Sequence, residues 1–255
     1  MNWNLNVSTW NYLCSYGERA DLERAIFEIK EDGFGLELWL NWTPDKEIFN
    51  RKNWRRLKKW VSGIPNLTLH SQCSSKNLEE ITEEIKLAAY LKSKVIVVHL
   101  LNFGLTEEQK EIDCQYLNKV LRFAQENKVI LALENGYLEM LQKVLQAAGR
   151  NPSLGICIDI GHAHIPSSSG LPEGCSDATE IFLKEFSQRI VHLHLADNFG
   201  KGDKHLIPGK GSIPWSSVTK TLKKLNYQNQ ATLELNTPDA RKAAAASRNF
   251  LNKLP

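Results

Sequence analysis

Val95-Ile96-Val97-Val98-His99-Leu100-Leu101 is an almost unbroken aliphatic run. Such a run suits a strand covered on both faces in a parallel sheet. Helix-period patterns flank it. Leu78, Ile81, Ile85 and Ala88 precede it at three- and four-residue steps, and Leu117, Val120, Leu121 and Ala124 follow. Reading outward gives strand candidates at Asn4–Trp10, Gly35–Trp42, Leu67–His70, Val95–Leu101, Ile130–Glu134, Leu154–Asp159, Ile190–Ala196 and Ala231–Leu235. Leu22, Ile26 and Ile29 share a helical face, and Thr106-x-x-Gln109 reads as a capping box. Eight such units in 255 residues leave about 32 residues for each, the size of a closed eight-stranded barrel of about 250 residues. An open doubly wound sheet would carry a Gly-rich turn after its first strand, where this chain has Thr9-Trp10-Asn11-Tyr12. The expected fold is α/β, a single (β/α)8 TIM barrel. Residues 1–255 form one domain, and Pro166–Cys175 is a βα loop rather than a linker.

Hydrophobic residues make up 42% of the chain and charged residues 24%, with a net charge of +3. This balance excludes disordered, collagen-like and coiled-coil classes. The segment Lys46–Ser62 reads as a basic helix whose Arg51, Lys52, Arg55, Arg56, Lys58 and Lys59 form a solvated outer face, with nucleic-acid contact as the sharper alternative. The five cysteines (Cys14, Cys73, Cys114, Cys157 and Cys175) form no Cys-x-x-Cys pair and read as reduced thiols. Met1–Asn6 lacks the basic start and apolar core of a signal peptide. No apolar run is long enough to cross a membrane, so a cytoplasmic protein is expected.

The chemistry gathers at strand ends, where the active sites of such barrels lie. His70, His99, His162, His192, His194 and His205 stand at or beyond them, with Glu134, Asp159, Asp203 and Glu234. Imidazole and carboxylate together suit divalent transition ions. Crowding carboxylates into a barrel mouth without a cation is costly through repulsion and desolvation. His192 and His194 share a face of one strand, with His194 nearer the top and His192 one layer lower, in a supporting role. Asn135 and Asp197 are expected to orient ligands. Trp10, Trp39 and Trp42 are candidate apolar walls. Gly209-Lys210-Gly211 reads either as a phosphate turn or as an ordinary one.

Glu134-Asn135, Asp159-Ile160-Gly161-His162-Ala163, His192-Leu193-His194-Leu195-Ala196-Asp197, Asp203-Lys204-His205, Pro208-Gly209-Lys210-Gly211-Ser212-Ile213 and Leu233-Glu234 together resemble the motifs of the xylose isomerase-like TIM-barrel superfamily. That superfamily holds sugar and sugar-phosphate isomerases and epimerases, and also endonuclease IV. The isomerase and epimerase resemblance implies one divalent ion (Mn, Zn, Mg or Co) on Glu134, Asp159, His194 and Glu234. The two glutamates would exchange a substrate proton through an enediolate, and His162 would touch a substrate oxygen. The endonuclease IV resemblance implies up to three zinc ions on His70, His99, Glu134, Asp159, His162, His194, Asp203, His205 and Glu234, cleaving phosphodiesters at abasic sites. A non-catalytic, metal-dependent ligand-binding barrel is the third reading.

Two departures count against the nuclease: short loops at Asn11–Gly17 and Asn41–Lys46, and a basic helix placed outside the mouth. Lys204 stands where the ketose epimerases lead one to expect an arginine, and it is a candidate contact for substrate hydroxyls; Trp10 and His162 are the other substrate-binding candidates. The expected partner is a small sugar-like substrate rather than nucleic acid or membrane, and a homodimer is compatible with the sequence.

Overall fold

The computed structural model describes residues 3–72, 75–106, 110–172, 175 and 178–255. Eight strands close into a barrel in chain order: β1 (Asn4–Ser8), β2 (Gly35–Trp39), β3 (Leu67–His70), β4 (Val95–Val98), β5 (Ile130–Glu134), β6 (Leu154–Asp159), β7 (Ile190–Leu195) and β8 (Gln230–Leu233). All neighbours are parallel, and β8 closes on β1. This is the (β/α)8 TIM barrel expected from the sequence.

Strand alternation explains how the barrel carries a site. Leu5, Val7, Leu36, Leu38, Leu69, Ile96, Val98, Leu131, Leu133, Ile156, Ile158, Leu193, Leu195 and Leu233 join the main core beneath the helices. Burying each is worth about 1.5–3 kcal/mol. The residues between them face the other way: Asn6, Glu37, Thr68, His70, Glu134, Asp159, His192, His194 and Thr232. All of these are buried. Val97, Ala132 and Cys157 form a separate small apolar cluster. The interior is therefore largely polar, where many barrels stack branched aliphatics. The helices Leu22–Glu31, Leu78–Leu91, Cys114–Glu126 and Ala240–Leu251 begin at Asp21, Asn77, Asp113 and Asp239, whose side chains accept backbone N–H groups of the first turn.

Several sequence expectations overran. The first strand stops at Ser8 because Thr9 turns the chain: its N–H donates to the Glu37 carbonyl and its hydroxyl accepts from Trp39 N–H. Trp10 then opens a helix, Trp10–Tyr16, over most of the expected short loop Asn11–Gly17. The second strand ends at Trp39, and Trp42, 3% exposed, belongs to the core rather than the mouth. The fourth ends at Val98, because His99 N–H donates to Asn102 Oδ1 at 2.8 Å and folds Leu100–Phe103 into a 3-10 turn. The eighth ends at Leu233, because Asn11 intercepts the edge beyond it. Its amide donates to the Leu233 carbonyl and accepts from Leu235 N–H.

Leu78, placed on the buried helical face by its spacing, is 39% exposed in the first turn. The capping box expected at Thr106 falls partly on Gln109, outside the described residues; the helix there starts at Cys114. The basic segment holds a 3-10 turn, Arg51–Asn53, and the helix Trp54–Trp60, with its Lys and Arg side chains exposed. Pro166–Cys175 contains a short helix, Pro166–Ser169. Cys14, Cys114, Cys157 and Cys175 are free thiols; Cys73 lies outside the described residues. No helix among the described residues is long and apolar enough to cross a membrane.

One buried acid braces the loops after β3 and β4. Glu84, 6% exposed, accepts Ser71 Oγ–H at 2.6 Å and Gln72 N–H at 3.1 Å. Asn102 in turn donates to Ser71 Oγ at 2.9 Å. Burial pushes the Glu84 carboxyl up to about 7, outweighing those hydrogen bonds. A raised carboxyl favours the protonated fold. Its contribution is complete below the ordinary value of 4.5 and is lost as pH rises through about 7. Glu84→Gln is therefore expected to gain about 1–3 kcal/mol over the wild type at pH 9, with little difference at pH 4.5. Urea unfolding at both pH values measures this, and a pH-independent difference would contradict it.

Candidate metal centre

His194, fully buried on β7, is the hub. Its Nδ1 lies 3.5 Å from Glu234 Oε2, 3.6 Å from Glu134 Oε1 and 3.9 Å from Asp159 Oδ2. These four residues come from β5, β6, β7 and the position just beyond β8, so consecutive strands deliver them to one point. Two ligands sharing an ion at bond lengths of about 2.1 Å stand on the order of 3–3.5 Å apart, close to this spacing. Asp159 Oδ2, Glu234 Oε1 and His194 Nδ1 are buried without a hydrogen-bond partner among the described residues. Buried polar atoms are rarely left so. On this observation the residues fit a divalent cation.

Two further groups adjoin it. His70 Nε2 and His99 Nε2 approach Glu134 Oε2 at 3.4 and 3.0 Å. On the other side, His162 Nδ1 is 3.2 Å from Glu134 Oε1, and its Nε2 is 3.1 Å from Asp203 Oδ2. His205 Nε2 reaches the same Asp203 oxygen at 2.6 Å. Thus all nine residues of the larger ligand set meet in one chain of contacts. His70 Nδ1–H donates to the Ser71 carbonyl at 2.9 Å, and His205 Nδ1–H donates to the Glu234 carbonyl at 3.0 Å. Each bond fixes a tautomer and leaves Nε2 facing the centre.

Burial pushes the Glu134 carboxyl up, but His99, His194 and His162 outweigh it and hold it well below the ordinary range. Burial wins at Glu234, raising it despite His194 and His70. Burial also opposes charge on His162 and His194, yet the surrounding carboxylates hold their protons well above the ordinary value.

Supporting residues lock this geometry. Asn135 donates to the Asp159 carbonyl at 3.2 Å and accepts Asp159 N–H, clamping the backbone of that residue. Asp197 makes no hydrogen bond to any of the nine among the described residues, and acts on the chain around them. It ties down the loop after β7. Its carboxylate accepts N–H from Asn198, Gly209 and Ile213 and the Trp215 indole N–H, all within 3.2 Å. Gly211 packs so close that an added Cβ would lie 2.3 Å from Asp197 Oδ1, and Gly209 needs φ +87°. Gly209-Lys210-Gly211 therefore belongs to this loop anchor. The same loop carries Asp203 and His205, the latter at the uncommon φ of +45°.

Trp10 packs on His205 with ring centroids 4.6 Å apart, and Trp39 packs on His70 at 4.3 Å. Lys204 is exposed and makes no ion pair among the described residues. His192 sits one layer below, as expected, bonded to Glu37 and Thr232. Sequence reading missed Glu37, buried on β2 with Oε1 3.4 Å from His194 Nε2. Its signal was parity: a lone carboxylate between Leu36 and Leu38, on the interior face.

The family model of xylose isomerase-like TIM barrels matches residues 60–254. An uncharacterised protein of Methanocaldococcus jannaschii is 28% identical over 206 residues, covering 74% of this chain and 67% of that one. The chain spans about half to two thirds of the length of three such relatives. Among solved structures, a D-tagatose 3-epimerase-like protein matches 98% of this chain and 97% of its own with a TM-score of 0.76 at 23% identity. The IolI protein with a bound zinc atom matches 99% of both chains with a TM-score of 0.75 at 16% identity. At these identities the likeness shows the fold.

Asp197→Asn turns one acceptor oxygen into a donor and strands at least one buried N–H. It is expected to cost about 1–3 kcal/mol in urea unfolding; wild-type stability would show that the loop is held otherwise.

Proposed function

The chain belongs to the family of xylose isomerase-like TIM barrels, and from that premise we propose a divalent-metal-dependent isomerase or epimerase acting on a small sugar or sugar phosphate. One observation carries the reading: Glu134, Asp159, His194 and Glu234 converge with buried donor atoms that have no hydrogen-bond partner among the described residues. The epimerase-like neighbour and the zinc in IolI support it. The whole chain, residues 1–255, would work as one domain.

Glu134, Asp159, His194 and Glu234 would hold the ion. When bound, a divalent ion supplies Lewis-acid polarisation of a carbonyl oxygen. Glu134 and Glu234 stand on β5 and just past β8, three strands apart around the barrel. From there one takes a proton from the carbon beside the substrate carbonyl, leaving an enediolate, and the other returns a proton. His162 would donate to a substrate oxygen and Lys204 would meet an outer hydroxyl or phosphate. Trp10 and Trp39 would form apolar walls that exclude water.

A second reading, a multi-zinc phosphodiesterase, is favoured by the His162–Asp203–His205 cluster and by the meeting of His70 and His99 on Glu134. Metal analysis per chain separates the two: one ion for the isomerase, two or three zinc ions with cleavage of an abasic-site oligonucleotide for the hydrolase.

Glu134→Gln and Glu234→Gln are each expected to lower exchange of a substrate C–H proton with deuterated water by about 10²–10⁴-fold. Mass spectrometry of ketoses, aldoses and their phosphates incubated with the protein reads this out. Wild-type exchange in both variants would overturn the acid–base assignment.

A further inference from the structure

Glu37 lies wholly inside the barrel, one layer beneath the metal centre, and nothing in the proposed reaction uses it. Its two oxygens have unequal surroundings. Oε2 accepts Thr232 Oγ–H at 2.9 Å, Thr68 Oγ–H at 3.0 Å and His192 Nε2–H at 3.1 Å. Among the described residues Oε1 has no hydrogen-bond partner, and neither has His194 Nε2; the two face each other at 3.4 Å. The opposite nitrogen of that ring, Nδ1, is the atom aimed at Glu134, Asp159 and Glu234.

A neutral imidazole that binds a cation through Nδ1 must carry its proton on Nε2. At His70 and His205 a backbone carbonyl fixes the tautomer. At His194 the acceptor within reach is Glu37 Oε1. We infer that Glu37 is the positioning residue of the metal centre: pinned through Oε2 by three donors from β3, β7 and β8, it holds the His194 proton on Nε2 and so presents the Nδ1 lone pair to the cation. The inference rests on the metal centre proposed above, and not on the reaction assigned to it.

Glu37→Gln makes a sharp test, because the amide is nearly isosteric and its oxygen is claimed by the three donors. Its NH2 group then faces His194 Nε2, which must become an acceptor, moving the proton to Nδ1 where the cation should bind. Zinc affinity of the full chain, measured by chelator competition, is expected to fall about 10–100-fold, the usual effect of losing such an outer partner. Metal-free melting checks that the variant folds. In zinc-loaded wild-type protein labelled with ¹⁵N-histidine, His194 is expected to show a slowly exchanging Nε2–H and a metal-shifted Nδ1.

Wild-type zinc affinity in a folded Glu37→Gln protein would overturn the inference. So would coordination of His194 through Nε2, a result that decides the matter even where the variant does not fold. Weakened zinc binding in a protein that turns over no sugar would leave Glu37 in this role and remove only the isomerase reading.

Discussion

Four carboxylates and a histidine share the interior of one narrow barrel: Glu37, Glu134, Asp159, Glu234 and His194. Ionised carboxylates at this density repel one another and lose hydration, a cost that only nearby positive charge offsets. The rest of the structure is arranged around that constraint. The carboxylates in turn raise the proton affinity of His162 and His194. The divalent cation proposed above would meet the constraint better, because it would take up donor atoms that hydrogen bonding leaves without partners among the described residues. Imidazole and carboxylate donors bind a cation in their deprotonated forms, so such binding would weaken as the pH falls.

Stability and function are separated by face. The aliphatic residues of each strand point outward and pack under the helices, and the residues between them point inward and build the site. The site can therefore be polar without weakening the core. Around the candidate ligands lies a layer of ordinary hydrogen bonds that sets their positions: Asn135 on the backbone of Asp159, Ser71, Glu84 and Asn102 linked to His70 and His99, Asp197 on the loop bearing Asp203 and His205. These residues lie far apart in the chain, and only barrel closure brings them to one rim.

Much of this was legible in the sequence. The eight strands follow from apolar periodicity, the gathering of His, Asp and Glu from which residue types stand at strand ends, and the nine-residue donor set from the resemblance to the xylose isomerase-like superfamily. The strand ends themselves did not. A run such as Val95–Leu101 stays apolar after the strand has stopped, and what stops it is the hydrogen bond that His99 N–H donates to the Asn102 side chain, invisible to periodicity. Glu37 was overlooked because an acid inside an aliphatic strand draws no notice until the interior face is known to be polar. The part played by Asp197 depends on four donors brought together by a loop whose path no local pattern encodes.

Anomalous diffraction from crystals of the zinc- or manganese-loaded protein, recorded at the metal's absorption edge, tests the central claim most directly. A strong peak is expected between His194 Nδ1 and the carboxylates of Glu134, Asp159 and Glu234. An empty map at that point, or a peak only at surface groups, would contradict the account.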